Sequence, residues 1–386
     1  MTAAAENMNP LPSTSPRLEY LDSLRGFAIL GVIAAHCAGQ AGGAFHGCWL
    51  AFAGSTGVLL FFLVSAFTIF LTLDRAQSRE THVLRNFFTR RFMRILPMFW
   101  VGSVLYAWLP GREHCVPPID VNAWHYALTA ILQHGWNPAT INSVVPGGWT
   151  IAVEGAFYLI APWLFFRIRD WRRALWFLLA ALLFSKAANI GLHVLVARAG
   201  LFGGVPSPWL DFYHGRWFPT QLPVFACGIL AYRIIKSSGG FWTPRIGLVF
   251  LAASGVMLFS AIEIGSHGLL SEQVFYAFGY LLLILGLNAN PLPLFVNFFT
   301  RLVGRISYSA YILHFVVLAG VVAVLRAVSP GIFNRPLVAF VVLFPATALL
   351  TIPVAWTTFR FIETPAIALG ARWIRRNEAA GRPTAV

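Results

Sequence analysis

Residues 54–73 read GSTGVLLFFLVSAFTIFLTL, a run of 20 residues without a charged side chain. A helix of that length is about 30 Å long, which is the thickness of the hydrocarbon core of a bilayer. Similar apolar runs recur along the whole chain of 386 residues, of which 58% are hydrophobic and 11% charged. A typical soluble domain carries about 25% charged residues. The sequence therefore predicts an all-α integral membrane protein with one transmembrane domain.

The apolar runs predict a polytopic bundle of about ten transmembrane helices. These are expected near residues 24–40, 54–73, 95–109, 149–166, 174–197, 217–235, 245–264, 272–288, 305–327 and 336–358. The third run is short, close to the lower length limit for crossing a bilayer. The polar residues 1–20 are predicted to form a disordered cytoplasmic leader and the basic residues 367–386 a cytoplasmic tail, which leaves 21–366 as the transmembrane domain.

The distribution of basic residues predicts the orientation of the chain. The formal net charge is +14, and with a cytoplasmic N-terminus 22 of the 28 Lys and Arg residues fall on the cytoplasmic side and five on the other. Cytoplasmic loops of membrane proteins carry such an excess. The pattern therefore predicts that both termini are cytoplasmic, and it explains the net charge without a nucleic-acid partner.

The four cysteines contain no CxxC pair, so neither a metal site nor a redox site is expected. Cys48 and Cys115 both fall on the predicted outer face, where they either form a disulfide or remain free thiols. The sequence does not decide between these two states.

The first predicted span, LDSLRGFAILGVIAAHCAG at residues 21–39, contains Arg25 and, eleven residues later, His36. On a helix these two residues lie about 20° apart around the axis and about 16 Å apart along it, so they share a face. His36 would then lie near the middle of the bilayer, either as a neutral histidine bonded across helices or as a functional group. A ligand whose anionic group binds at Arg25 could place a reacting atom beside His36, because the distance between the two residues is about the length of an extended pantetheine arm.

A cluster of four arginines follows the second span, in RNFFTRRFMRILP at residues 85–97. In a helix Arg90 and Arg91 would each neighbour Arg94, which suits binding of phosphates. Cytoplasmic arginine clusters often merely orient a span, and without further observations that interpretation is favoured.

Polar residues also interrupt two later spans. Glu154 is expected about 7 Å below the outer surface, where it either lines a cavity or bonds to a neighbouring helix. Ser307, Tyr311 and His314 follow one another at helical spacing on one stripe, which serves helix packing or contacts a substrate.

Taken together, these segments resemble the acyltransferase 3 family of membrane-bound O-acyltransferases over essentially the whole chain. The matching segments are LDSLRGFAILGVIAAH at 21–36, FFLVSAF at 61–67, RRFMRILP at 90–97, WTIAVEGAFYLIAP at 149–162, GRISYSAYILH at 304–314 and ETP at 363–365. The resemblance implies an acyl-CoA co-substrate that enters from the cytoplasm, no tightly bound cofactor, an essential histidine, and an acceptor that is often an extracytoplasmic sugar.

The resemblance also implies roles for particular residues. His36 matches the catalytic histidine of the family and Arg25 its partner. Arg91 and Arg94 match an arginine pair that is expected to bind the donor. Glu154 matches the acidic residue of a Trp and Glu motif and is expected to orient the acceptor or polarise the histidine. Further substrate contacts are expected from Ser65, Trp149, Tyr308, Tyr311 and His314.

Two positions depart from the family pattern. Ala66 stands where a glycine usually follows the serine of FFLVSAF, and Gly155 stands where a second glutamate is common. Both departures are compatible with activity and bear on the choice of acceptor.

The function expected from the sequence is transfer of an acyl group, in the first instance acetyl, from acyl-CoA to a hydroxyl of a glycan or related acceptor. The histidine would act as a general base or carry the acyl group itself. The resemblance places the protein in a bacterial cytoplasmic membrane. A transporter or exporter of a small anionic or sugar ligand explains the buried charges equally well, but it does not explain why Arg25 and His36 share a face.

Overall fold

The computed structural model describes residues 18–42, 53–109, 121–239, 242–264 and 271–380. These residues form helices and connecting segments, with no strand among them, so the predicted all-α fold is confirmed. The leader up to residue 17, Cys48 and Cys115 lie outside the described residues.

The helices are numbered here in chain order. They are α1 (Glu19–Gln40), α2 (Gly57–Gln77), α3 (Val83–Trp108), α4 (Ala123–Ala130), α5 (Trp149–Arg167), α6 (Trp171–Ala199), α7 (Ser207–His214), α8 (Phe218–Ser237), α9 (Pro244–Ile264), α10 (Glu272–Ala289), α11 (Phe298–Arg305), α12 (Ser307–Val328), α13 (Pro336–Thr358) and α14 (Thr364–Ala380). A 3₁₀ turn at His134–Trp136 precedes α5, and a π-helical turn at Phe359–Glu363 joins α13 to α14.

Nine helices within the described ranges are long and apolar enough to cross a membrane, and they coincide with nine of the ten predicted spans. The remaining predicted span, near 95–109, is the second half of α3. The arginine cluster occupies the first half of the same helix and makes α3 too polar to qualify by composition. The helical segment that carries the arginines therefore continues without a break into the apolar segment. The number of membrane crossings and the cytoplasmic location of both termini stay predictions.

The centre of the bundle is formed by α2 and α8, whose side chains are mostly buried. α1 packs against α2, α11, α12 and α13, while α6 and α9 lie at the periphery with most of their surface exposed. Exposed apolar side chains on these outer helices suit contact with lipid. Of the helices that carry the predicted site residues, α1, α2 and α5 are mostly buried in the bundle, whereas α3 and α12 each turn only part of their surface toward it.

The predicted tail is helical as far as it is described, because α14 continues to Ala380. It packs along α3. The Glu378 carboxylate accepts hydrogen bonds from the backbone N–H of Thr81 (2.7 Å) and of His82 (3.0 Å) and from the side chain of Asn86 (2.7 Å). This helix is thus bonded to the start of the arginine-bearing helix.

The backbones of α1 and α11 lie in direct contact at two glycines. A Cβ atom at Gly304 would overlap the carbonyl oxygen of Asp22, and one at Gly26 would overlap that of Thr300. Small residues allow such close approach between membrane helices. The contact fixes the part of α1 that carries Arg25.

Gly304→Ala is therefore expected to destabilise the protein by about 1–3 kcal/mol, because the added methyl group must push α11 away from α1. Thermal unfolding of the purified protein in detergent measures the change. Gly320→Ala on α12 is the matched control, since a Cβ there would have no neighbour within 4 Å. Equal unfolding temperatures for the two variants would contradict the role assigned to Gly304.

Candidate functional site

Seven of the ten predicted site residues line one cavity of about 80 Å³ between α1, α2, α3, α5 and α12. We name it the arginine chamber. The predicted residues that line it are Arg25, Ser65, Arg91, Arg94, Glu154, Tyr308 and Tyr311. The structure thus brings together segments that are far apart in the sequence.

The three arginines of this chamber differ in their partners. Arg25 forms an ion pair with Asp22 (2.9 Å) and donates to the hydroxyl of Thr68 (3.2 Å). Arg91 is buried, with its guanidinium carbon 5.8 Å from the ring centroids of Phe87 and Tyr158.

Arg94 lies one helical turn from Arg91 and is only partly buried. It forms no ion pair with any carboxylate in the described part of the chain. Arginines gathered in one cavity are suited to hold phosphate groups. Arg94 is the member of the set that is most available to a ligand.

Glu154 belongs to the arginine chamber. Its carboxylate accepts a hydrogen bond from Ser65 on α2 and another from the hydroxyl of Tyr158, one turn further along α5. No hydrogen bond joins it to His36 among the described residues, so the expected polarisation of the histidine by direct contact is not seen. The two side chains point to different helices. Glu154 is turned toward α2, whereas His36 packs against α12.

His36 lines a second, wider cavity of about 660 Å³, which we name the histidine chamber. Its side chain is exposed to that space. The ring centroid lies 4.4 Å from that of Phe315 and 5.3 Å from that of His314. Trp149, another predicted site residue, lines the same chamber. Arg25 and His36 thus share α1 but open into different cavities.

His314 is fully buried and lines neither chamber, so the expected direct contact with substrate is not supported. Its Nδ1 lies 2.7 Å from the carbonyl oxygen of Tyr311, one turn earlier on α12. Sequence spacing placed His314 on the same stripe as Ser307 and Tyr311, and those two do line the arginine chamber. His314 instead packs behind His36.

The two chambers meet at Val58 and Tyr311, which line both of them. The Tyr311 hydroxyl donates to the carbonyl oxygen of Gly147 (3.0 Å) and accepts from Thr150 (3.1 Å). Gly147 has a φ of +75°, and a Cβ there would approach the Tyr311 oxygen to 2.9 Å. Glycine at this turn therefore permits the bond that holds the tyrosine between the chambers.

Tyr308 lines the arginine chamber, but its hydroxyl is already engaged. It donates to the carbonyl oxygen of Ile95 on α3 (2.8 Å). This bond ties α12 to the arginine-bearing helix, so Tyr308 contributes mainly its ring to the chamber wall.

The turn that leads into α5 depends on His134, a residue that sequence reasoning did not select. Its Nε2 lies 3.0 Å from the carbonyl oxygen of Gly148, and its ring stacks on Phe99 at 5.7 Å. Burial lowers the pKa of His134 to about 4, so the ring is neutral at pH 7. It holds the turn that presents Trp149 to the histidine chamber.

The protein is an integral membrane protein, because its helices are long and apolar enough to span a bilayer. Its candidate functional site consists of a cavity lined by arginines and an adjoining cavity with an exposed histidine. A family model described as an acyltransferase domain matches residues 18–360. The chain belongs to this family, acyltransferase 3, and the resemblance found in the sequence is confirmed.

Similar curated proteins carry related names. The O-acetyltransferase OatA of Staphylococcus aureus is 25% identical over 381 residues, which cover 91% of this chain and 57% of that protein. The peptidoglycan O-acetyltransferase OatA of Listeria monocytogenes is 23% identical, with coverage of 89% and 55%. The acyltransferase MdmB of Streptomyces mycarofaciens is 27% identical, with coverage of 64% and 65%.

The chain thus spans a little over half the length of the two OatA proteins that it matches. No solved structure matches it.

Proposed function

We propose that the protein transfers an acyl group, in the first instance acetyl, from acyl-CoA to a hydroxyl of a glycan or related acceptor. The observation that carries the proposal is the meeting of the two chambers at Val58 and Tyr311, with three arginines on one side and His36 on the other. Family membership and relatives named as O-acetyltransferases support the same reaction class. A relative named for peptidoglycan supports a glycan acceptor.

The donor is expected in the arginine chamber. The phosphates of CoA would bind at Arg94, assisted by Arg25 and Arg91, because charge-assisted bonds from guanidinium groups suit phosphate oxygens. The pantetheine arm would then extend toward Tyr311. On the predicted topology this chamber lies toward the cytoplasm, where acyl-CoA is available. The proposed membrane is the bacterial cytoplasmic membrane.

The reaction would take place at the His36 side of the junction. In the base mechanism, the imidazole removes the proton of the acceptor hydroxyl, and the oxygen attacks the thioester carbonyl. The C–S bond then breaks, and the CoA sulfur takes the proton from the imidazolium. In the covalent alternative, the imidazole nitrogen attacks the thioester carbonyl, and the C–S bond breaks to release the CoA thiolate. The acceptor hydroxyl then attacks the acyl-imidazole, the C–N bond breaks, and the hydroxyl proton goes to the CoA sulfur.

Glu154 is assigned to the donor side in this proposal, because it is bonded to Ser65 and Tyr158 within the arginine chamber. Its role would be to fix the hydrogen bonds that shape that chamber and to balance its positive charge. The acceptor would instead contact the residues of the histidine chamber.

The test is release of free CoA from acetyl-CoA by the purified protein in nanodiscs. The expected result is slow thiol release that becomes faster when an acceptor is added. A transporter predicts no thiol release at any acyl chain length. Absence of release, together with absence of acetyl-CoA binding, would overturn the proposed function.

A further inference from the structure

The histidine chamber contains a cation that neither the sequence motifs nor the mechanism above uses. Arg216 lies in the turn between α7 and α8 and lines the chamber together with His36. Its guanidinium carbon lies 4.0 Å from the ring centroid of Phe212 and 5.6 Å from that of Trp149. Stacking on aromatic rings leaves the N–H groups at the edge of a guanidinium free to bind a ligand.

Arg216 has little to neutralise it within the described ranges. Its one described hydrogen bond there goes to the carbonyl oxygen of Phe212 at 3.4 Å. Glu272 is the single carboxylate among the described residues that line the chamber, and it forms no ion pair with Arg216. Removing a cation from water without a counter-ion costs free energy of folding, so the partly buried Arg216 indicates a ligand that supplies the negative charge.

The turn that carries Arg216 is fixed by hydrogen bonds from two other helices. The carbonyl oxygen of Gly215 accepts from the side chains of Gln221 (2.8 Å) and Gln273 (2.9 Å), and Gln221 also donates to Gln273 (2.9 Å). On the other side, Trp217 donates to Asn189 at 3.1 Å. Such a network places the guanidinium in advance of binding, which reduces the entropy that a ligand must overcome.

The rest of the chamber suits a sugar. Trp149 and Trp209 supply partly exposed aromatic faces, and Gln40 supplies an exposed polar side chain. A volume of about 660 Å³ falls within the range of small-molecule sites. Aromatic rings beside an arginine are therefore available to one sugar unit that carries an acidic group.

We propose that Arg216 binds a carboxylate or phosphate group of the acceptor, so that the histidine chamber selects acidic sugars. This inference rests on the proposed function, because it names the substrate class of the acceptor side. Bidentate bonding to Arg216 would orient the sugar ring on the aromatic residues and present one of its hydroxyls to His36.

Titration calorimetry tests the inference. Three probes are titrated into the protein in the absence of an acyl donor. The probes are methyl glucoside, methyl glucuronide and methyl glucoside 6-phosphate, which share a ring and differ in the group at C6. We expect at least one acidic probe to bind roughly tenfold or more tightly than the neutral one. Comparison of the two acidic probes distinguishes a carboxylate ligand from a phosphate ligand.

Two variants assign that preference to Arg216. Arg216→Gln is expected to bind acidic and neutral probes with similar affinity, and Arg216→Lys to keep part of the preference because its charge remains. Arg198→Gln, an exposed arginine on the same predicted face, is the control and should leave the preference unchanged.

Equal affinity of the unsubstituted protein for all three probes, or no binding of any, would overturn the inference. A preference that survives in Arg216→Gln would also overturn it. Release of CoA is measured separately on the unsubstituted protein, so failure of the acyltransferase proposal is distinguishable from failure of the acidic-sugar site.

Discussion

Replacement of His36 with glutamine is expected to lower acyl transfer at least about 100-fold while the protein stays folded. Glutamine keeps much of the volume and polarity of the side chain but cannot act as a base or accept an acyl group, and general base catalysis contributes about 10²–10⁴-fold. Because His36 is exposed in the histidine chamber, its loss should disturb packing little. Initial rates of CoA release in the presence of acceptor measure the effect.

The matched control is His314→Gln, since the two rings are only 5.3 Å apart but differ in access. His314 is fully buried and lines neither chamber. Its replacement is expected to lower the unfolding temperature and to reduce the rate less than His36→Gln does. A rate for His36→Gln within about threefold of the unsubstituted protein would remove His36 from the mechanism.

The positions of individual helices were predictable because membrane-spanning helices have a simple length and composition rule. α3 is the instructive exception. The sequence predicts its apolar half as a short separate span and its arginines as a cluster in the connection before that span. The structure joins them in one helix, since nothing between Arg94 and Pro97 ends the helix. Hydropathy averages cannot reveal such continuity.

Helical spacing predicted which residues share a face but not what each face meets. Arg25 and His36 do share α1, yet they open into different chambers, which meet only where Val58 of α2 and Tyr311 of α12 line both. The depth of Glu154 likewise indicated a cavity without identifying Ser65 as its partner. Partners across helices depend on tertiary packing, which the spacing within one helix does not contain.

Arg216 could not have been selected from the sequence for the same reason. In the linear chain it is one of five arginines on the predicted outer face. Its turn is held by Gln221 and Gln273, which are 52 residues apart, and the aromatic residues beside it come from α5 and α7. Arg216 is recognisable as a candidate binding residue only when the tertiary structure shows these distant groups around it.

Arg94→Gln is expected to weaken binding of acetyl-CoA by about 10–100-fold, because hydrogen bonds to charged groups contribute about 1.5–3 kcal/mol. Arg94 is the appropriate target among the three arginines. Arg25 is paired with Asp22, and Arg91 is buried against aromatic rings, so replacing either would also disturb the fold. Titration of acetyl-CoA into the purified protein measures the dissociation constant.

A truncated donor makes the prediction specific to phosphate binding. S-acetylpantetheine keeps the thioester and the arm but lacks the phosphates and the nucleotide, so its affinity should change little in Arg94→Gln. Arg79→Gln, an exposed arginine beside the start of α3, should leave both affinities unchanged. Equal weakening of both donors by Arg94→Gln would instead mean that the substitution alters the shape of the arginine chamber, and the phosphate role assigned to Arg94 would be wrong.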